Sequence, residues 1–319
     1  MKIMVTGSAG YIGQPLVQML SDSGHDVTGI DMRPGPSTLQ ADIRDLDPMI
    51  FTGIDAIVHL AGVSFAPEWT DADDIIWDAN VEGTRRLVEH CEAAGVSRFI
   101  FASSASIFEG TSGTPATLDT APMPVSAYGR SKACGERIVR GARLPQRIAL
   151  RKGTLCGLGP NPRLDLVLNA MTLSALREGT VHVNGTGDNN RPMLRLSRAV
   201  RAYYNCATHD FPEGAHLYNL CDNNVTVRGL AEAVSDTVHA KINHREYMGR
   251  PRSYVMRNEH SPGLPIDMGA GIGTDVAKMA EEVATEMRDC LDSLPVLSSD
   301  PRIDRLSEIN QQHRDETPA

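Results

Sequence analysis

Residues 2–13 read Lys2-Ile3-Met4-Val5-Thr6-Gly7-Ser8-Ala9-Gly10-Tyr11-Ile12-Gly13, a short apolar run followed by three glycines at intervals of three. The run predicts a strand over Ile3–Thr6, and the apolar spacing beyond it predicts a helix over Ile12–Ser23. A strand that turns through glycines straight into a helix suits a dinucleotide pyrophosphate. Gly7 permits the tight turn, Gly10 lets the backbone approach the phosphates, and Gly13 lets the helix pack close to the strand. The start of the helix adds free N–H groups and positive potential. Further on, Asp31 closes a second predicted strand, Asp26–Asp31. A carboxylate there accepts hydrogen bonds from the adenosine ribose and repels a 2′-phosphate, which favours NAD over NADP. Arg33 is the opposing signal, because a nearby Arg could pair with a 2′-phosphate. Asp42-Ile43 follows the third predicted strand, Thr38–Ala41, where the acid could reach the adenine amino group or cap a helix.

The same alternation runs on. Strands are predicted over Ala56–Leu60, Arg98–Ser103 and Arg147–Arg151, with helices over Asp71–Ala94 and Ser126–Ala142. Strand–helix alternation at this spacing means parallel strands with crossover helices, an α/β doubly wound parallel sheet of the Rossmann kind. Ile57-Val58-His59-Leu60 and Phe99-Ile100-Phe101 are continuous apolar runs, as strands buried on both faces require. Beyond Lys152 the pattern loosens. Gly157-Leu158-Gly159-Pro160-Asn161-Pro162 signals a loop, helices are predicted over Leu164–Arg177, Ser197–Thr208, Arg228–His239 and Thr274–Leu291, and short strands near Val181–Val183, Leu217–Leu220 and Asn243–Tyr247. The expected organisation is a dinucleotide-binding domain over residues 1–152, a smaller mixed α/β substrate-binding region over 153–297, and a polar tail over 298–319.

Composition narrows the class. Aromatic residues are 5% of the 319, too few for a base-stacking platform, and 31 Lys and Arg against 40 Asp and Glu give a net charge of −9. That balance argues against nucleic acid and anionic membranes as partners. The six cysteines are scattered without a Cys-x-x-Cys pair, which points to reduced thiols in the cytoplasm and to no metal site. The chain opens directly into a strand, with no secretory leader pattern, and lacks an apolar run of the ~18 residues a membrane span needs.

Tyr128-Gly129-Arg130-Ser131-Lys132 opens a predicted helix, and positions i and i+4 share one helix face. A phenol is a poor base at neutral pH. A lysine beside it and the positive ring of NAD⁺ both favour phenolate, so the tyrosine can exchange a substrate hydroxyl proton while hydride moves. The fifth strand ends in Ser103-Ser104-Ala105-Ser106, at the carboxyl edge where open α/β sheets bind ligands. One of these serines can hold the reacting oxygen, and the others serve as turn formers.

Taken together, Thr6-Gly7-x-x-Gly10-x-x-Gly13, His59-Leu60-Ala61-Gly62, Asn80-Val81-Glu82-Gly83-Thr84, Ser103-Ser104-Ala105-Ser106 and Tyr128-x-x-x-Lys132 resemble the extended short-chain dehydrogenases/reductases. The NAD-dependent epimerase/dehydratase group, of the UDP-glucose 4-epimerase type, is the nearest pattern, over residues 1 to about 240. The resemblance implies Tyr128 as acid/base, Ser104 on the reacting hydroxyl, and Lys132 on the nicotinamide ribose, lowering the tyrosine pKa. Expected cofactor contacts are Gly7, Ala9, Gly10, Tyr11, Ile12, Gly13, Asp31, Arg33, Asp42, Ile43, Leu60, Ala61, Gly62, Asn80, Ser103, Tyr128 and Lys132. Read without the resemblance, Asn80 is a surface helix residue, and His59 is in either case a packed strand histidine.

The reaction is read from the residues after the serine. Related sugar 4,6-dehydratases carry an Asp-Glu pair there, decarboxylase-like relatives a Glu, and GDP-fucose synthase-like relatives a Cys; this chain has Ala105-Ser106. Oxidation–reduction at one carbon remains. Gly185-Thr186-Gly187-Asp188-Asn189-Asn190-Arg191 resembles the family's phosphate-binding stretch, which makes Arg191 a phosphate ligand or, failing that, a solvated surface residue; Arg252 is a second candidate on the same terms. Ser104, Ser106, Tyr128, Thr154, Arg191 and Arg252 form the expected substrate set. The family's Arg-Pro-x-Asn-x-Tyr-Gly-Pro is here Arg151-Lys152-Gly153-Thr154-Leu155-Cys156-Gly157-Leu158, its His-x-Asp-Asp is Arg195-Leu196-Ser197-Arg198, and its closing Leu-Gly-Trp-x-Pro is absent. The leading expectation is a nucleotide-sugar 4-epimerase that retains NAD. The alternatives are a cofactor-releasing dehydrogenase or reductase of a sugar or other secondary alcohol, and an idle dinucleotide-binding sensor or scaffold, which the intact Ser104, Tyr128 and Lys132 argue against. The resemblance also implies a homodimer through the helices at 71–94 and 126–142, for which Val81, Leu87, Val88 and Cys91 offer an apolar stripe that could equally pack on the sheet.

Overall fold

A computed structural model describes residues 1–64, 72–111, 113–247, 252–260 and 276–295. The opening run forms β1 (Lys2–Thr6), and the glycine turn leads into α1 (Gly13–Asp22). There follow β2 (Asp26–Asp31), β3 (Thr38–Gln40), β4 (Ala56–His59), α2 (Ala72–Trp77), α3 (Gly83–Ala94), β5 (Arg98–Ser104), α4 (Ala127–Gly141) and β6 (Gln146–Lys152). The second half contributes β7 (Thr154–Cys156), α5 (Val167–Glu178), β8 (Thr180–Asn184), β9 (Asn190–Arg195), α6 (Leu196–Thr208), β10 (Gly214–Leu220), β11 (Asn223–Thr226), α7 (Val227–Val238), β12 (Lys241–Arg245), β13 (Glu259–His260) and α8 (Val276–Arg288).

The main sheet runs β13-β10-β6-β5-β4-β1-β2-β3 and is parallel except where β13 pairs with β10. The chain leaves β1 toward β3 and then returns to β4 on the other side of β1. Strand order therefore reverses between β1 and β4, and the crevice at their carboxyl ends is where such sheets bind ligands. Alternation in β1 sends Ile3 and Val5 to one face, with Leu16, Val17 and Leu20 of α1, and Met4 to the other, with Leu87, Val88 and Cys91 of α3. Burying each such apolar side chain fully stabilises the fold by roughly 1.5–3 kcal/mol.

The segment expected to be one helix over Asp71–Ala94 is divided within its described part. Between α2 and α3, Asp78–Glu82 forms a wider, π-helical turn that contains Asn80. Leu87, Val88 and Cys91 pack on the sheet core, and Val81 is buried as well, so this stripe is used within the chain and lends no support to a dimer contact.

The second half divides between two cores. α6 places Ala199, Val200, Tyr203 and Cys206 on the β1–α1 face, and β10 extends the main sheet beside β6. The remainder builds a second core around Leu168 and Met171 of α5, Leu230 of α7 and Met279 and Val283 of α8. β7, β9 and β11 form a small sheet of their own, and β8 pairs with β12. Asp222, just after β10, fixes the start of α6: its carboxylate accepts from the Arg195 amide at 2.8 Å and pairs with Arg198 Nε at 2.8 Å, and Arg195 and Arg198 belong to the segment where the family pattern has His-x-Asp-Asp. The polar tail and the amino-terminal and Gly-rich flank of the last predicted helix lie outside the described residues. Among the described residues no helix is long and apolar enough to cross a membrane. All six cysteines are free thiols.

Candidate active site

The glycine turn is compact enough to require its glycines. Gly7 has φ +73°, and a Cβ there would lie 2.7 Å from the Ala61 amide nitrogen. A Cβ on Gly13 would lie 2.0 Å from the Gly7 carbonyl oxygen, so α1 starts against the turn itself. At Gly10 a Cβ would meet only the Gly7 carbonyl and otherwise open space, which leaves room for a pyrophosphate. Asp31 closes the adenosine side: Oδ2 accepts from the Ala9 amide at 3.0 Å and Oδ1 from the Arg33 amide at 2.9 Å. The Arg33 side chain folds back, with Nε 3.7 Å from Asp31. Asp42 accepts from the Arg44 amide at 2.8 Å and from its Nε at 3.0 Å, so it caps a turn instead of a helix and is held by an arginine that also pairs with Asp78. These features fit a dinucleotide with a free ribose at Asp31.

After β4 the chain passes beside the turn. His59 is buried, with Nδ1 2.7 Å from Thr6 Oγ1 and Nε2 2.9 Å from Thr84 Oγ1, and burial lowers its pKa to about 3. It is a neutral packing residue. Asn80, read from its own surroundings in sequence as a surface residue, is 2% exposed. Its Oδ1 accepts from the Val63 amide at 2.7 Å, and its Nδ2 donates to the Val63 carbonyl at 2.8 Å and to Ser131 Oγ at 3.0 Å. It ties the loop after β4 to α4. Gly62 approaches closely enough that a Cβ would lie 2.7 Å from Asn80 Oδ1.

α4 begins at Ser126, whose hydroxyl accepts from the Gly129 amide at 3.0 Å. Glu109 fixes that start: it accepts from the Ser126 amide at 2.8 Å and from its hydroxyl at 3.0 Å. Tyr128 and Lys132 then face the crevice, with Lys132 Nζ 5.7 Å from the centre of the Tyr128 ring and 5.1 Å from that of Phe101. The Tyr128 phenol is pushed up to about 12 by burial, against the lowering effect of its hydrogen bond with Ser104 and of the Arg163 guanidinium. Burial and then Lys152 bring Lys132 down to about 7. In the chain alone, burial therefore outweighs the expected acidification of the phenol. Behind Ser104, Glu136 accepts from Ser103 Oγ at 2.6 Å and from Arg151 Nε at 2.9 Å, a buried network joining β5, α4 and β6.

These groups converge on a cavity of about 440 Å³ that runs from the glycine turn past Asp31 and Asp42 to Ser104, Tyr128 and Lys132. Of the expected contacts, Gly7, Gly10, Tyr11, Ile12, Gly13, Asp31, Arg33, Asp42, Ile43, Leu60, Ala61, Gly62, Ser106, Thr154 and Arg252 also line it. Ala9, Asn80, Ser103 and Arg191 do not; the first three stand one layer behind as described. Arg191 donates to the Asn190 carbonyl at 2.9 Å and to that of Arg252, and stacks on Tyr254 with 5.4 Å to the ring centre. Tyr254 itself lines the cavity and hydrogen-bonds Thr154. Sequence reading passed over Lys152, Glu109, Arg163 and Tyr254. The departure at Lys152 was visible in the sequence, but the other three sit in loops whose approach to the crevice no local pattern signals.

The fold and this site define an NAD-dependent enzyme on an extended Rossmann scaffold. Residues 3–221 match the model of the NAD dependent epimerase/dehydratase family. The chain belongs to that family. An uncharacterized UDP-glucose epimerase of Bacillus subtilis, YtcB, is 28% identical over 63% of this chain and 71% of its own length. The UDP-glucose 4-epimerase of Streptomyces lividans is 33% identical over 44% of this chain, and the match spans 47% of the relative. Among solved structures, MoeE5 in complex with UDP-glucose and NAD is similar over 91% of this chain and all of that one, with a TM-score of 0.77 at 28% identity. The UDP-glucose 4-epimerase of Thermotoga maritima has the same fold, with a TM-score of 0.77 over 91% of the chain at 21% identity.

Proposed function

We propose that the chain is a nucleotide-sugar epimerase that inverts one secondary alcohol, at C4, by oxidising it to a ketone and reducing it from the other face. The observation that carries this reading is the convergence of Tyr128, Ser104 and Lys132 on the same cavity as the glycine turn. Bound NAD would supply the hydride acceptor and then the donor. Tyr128 takes the substrate hydroxyl proton at its phenolic oxygen and later returns it. Ser104, hydrogen-bonded to Tyr128, holds the reacting oxygen. Lys132, buried beside the tyrosine ring, favours phenolate and would hold the ribose hydroxyls of a bound dinucleotide. The positive ring of oxidised NAD, when bound, would add to the same effect and oppose the burial that otherwise keeps Tyr128 protonated. Ala105 and Ser106 offer no second acid for dehydration. Glu109, a carboxylate on the cavity wall, is occupied by Ser126 and Arg252. MoeE5, solved with UDP-glucose and with UDP-glucuronic acid, supports a UDP-linked substrate. Arg252, which lines the cavity, would take the diphosphate, with Arg191 holding the Tyr254 wall, and on this reading residues 1–152 would serve mainly the cofactor and the described residues of 153–297 mainly the substrate. The homodimer that the family resemblance implies would use helix surface other than the stripe buried on the sheet.

The test is to denature the purified protein and identify the released nucleotide, then to screen UDP- and GDP-sugars for exchange between epimers. NAD near one per chain and epimer exchange, lost in Tyr128→Phe with NAD content kept, is the expected result. An empty protein that reduces added NAD⁺ with an alcohol would instead establish a cofactor-releasing dehydrogenase. Turnover that survives Tyr128→Phe would refute the assignment of Tyr128.

A further inference from the structure

Among the described residues, six cations line the cavity: Arg33, Arg44, Lys132, Lys152, Arg163 and Arg252. Four face carboxylates. Arg33 lies 3.7 Å from Asp31, Arg252 lies 3.2 Å from Glu109, Arg163 donates to Asp165 from Nε at 2.6 Å, and Arg44 pairs with Asp42 and Asp78. Lys132 has its place under Tyr128. Lys152 is left. Its Nζ donates to the Ser103 carbonyl at 3.0 Å, and no ion pair joins it to a carboxylate among the described residues.

Its position is specific. Lys152 is the last residue of β6 and stands opposite Ser104 in the parallel ladder, at the reacting end of the cavity and on a different strand from the glycine turn. The family pattern has an apolar proline here. An ammonium has three protons to donate, and the Ser103 carbonyl takes one. Burial and the neighbouring Arg163 guanidinium lower it to about 8, so it remains mostly charged at neutral pH. A half-buried charge without a counterion among the described residues is costly, and a ligand anion that pairs with it gains correspondingly. The reacting end of a sugar carries hydroxyl, amide or carboxylate groups, and of these only the carboxylate is an anion.

We propose that Lys152 is a specificity-determining residue that receives a carboxylate on the reacting sugar, so that the chain prefers a nucleotide-linked hexuronate to the corresponding neutral hexose. The inference rests on the nucleotide-sugar reading above and adds which sugar the site selects.

Binding is the direct test, because it is read independently of turnover. The NAD-loaded protein is titrated by calorimetry with UDP-glucuronate against UDP-glucose, and with GDP-mannuronate against GDP-mannose. One uronate is expected to bind at least about tenfold tighter than its neutral partner. Lys152→Met should erase that ratio by weakening the uronate alone, and Lys152→Arg should restore part of it. A melting temperature for each variant separates lost folding from lost selectivity, and the wild-type ratio is read without any variant. Equal binding of hexose and hexuronate by the wild type, or equal weakening of both in Lys152→Met, overturns the role of Lys152 and leaves the nucleotide-sugar reading standing. Binding of none of the four overturns both.

Discussion

Asn80 and Val63 exchange two hydrogen bonds: the Val63 amide donates to Asn80 Oδ1 at 2.7 Å, and Asn80 Nδ2 donates to the Val63 carbonyl at 2.8 Å. The same amide group reaches Ser131 on α4, one residue before Lys132. One buried side chain thus holds the loop after β4 and the catalytic helix in register. Asn80→Ala leaves the Val63 groups without these partners. It should cost about 1–3 kcal/mol in chemical denaturation. It should also reduce the NAD retained through purification, whereas a residue of purely local importance would lower stability alone.

Glu136 and Arg151 are a buried ion pair 2.9 Å apart, with side chains 4% and 2% exposed. Removing one partner strands a charge, so Glu136→Leu or Arg151→Met alone should destabilise the protein by about 3–5 kcal/mol. The double variant should recover much of that loss. Urea unfolding of the four proteins checks it, and strictly additive losses would contradict the pairing.

His59 makes stability depend on acid. Its folded pKa, lowered to about 3 by burial, lies below the ordinary value of 6.5. As pH falls, the unfolded chain takes up the proton first, so stability drops between those two values and levels off below the lower one. At about two pH units below the ordinary value the loss is about 2–3 kcal/mol. His59→Asn, which cannot take up that proton, should show a shallower fall over the same range in parallel denaturation curves.

Gly13→Ala places a methyl group where the Gly7 carbonyl oxygen lies 2.0 Å away and Ser8 backbone atoms 2.8 Å away. Backbone must move to admit it, at about 1–3 kcal/mol. The movement opens the turn that would hold the pyrophosphate. The expected outcome is a lowered melting temperature together with loss of most bound NAD. Retention of NAD at the wild-type ratio would show that the turn does not hold the cofactor.

Much of this protein is determined locally. Gly7, Gly10 and Gly13 between an apolar strand and an amphipathic helix, and Tyr128 four residues before Lys132, are readable because a tight turn and a helix face are set by neighbours in the chain. The parallel sheet follows in the same way from buried runs such as Ile57-Val58-His59. The tertiary structure decided what depends on distant partners. β9 and β11 carry too little apolar alternation to announce themselves, and become strands only by pairing with each other and, for β9, with β7. Asn80 gives no sign in sequence that a widened helical turn buries it. Arg191 looks from its motif like a phosphate ligand, yet its guanidinium is taken by main-chain carbonyls and a tyrosine ring. Lys152, Glu109, Arg163 and Tyr254 reach one cavity from four separate segments. The charges of the first three acquire meaning only when the sheet brings those segments together and shows which cations pair with a described carboxylate.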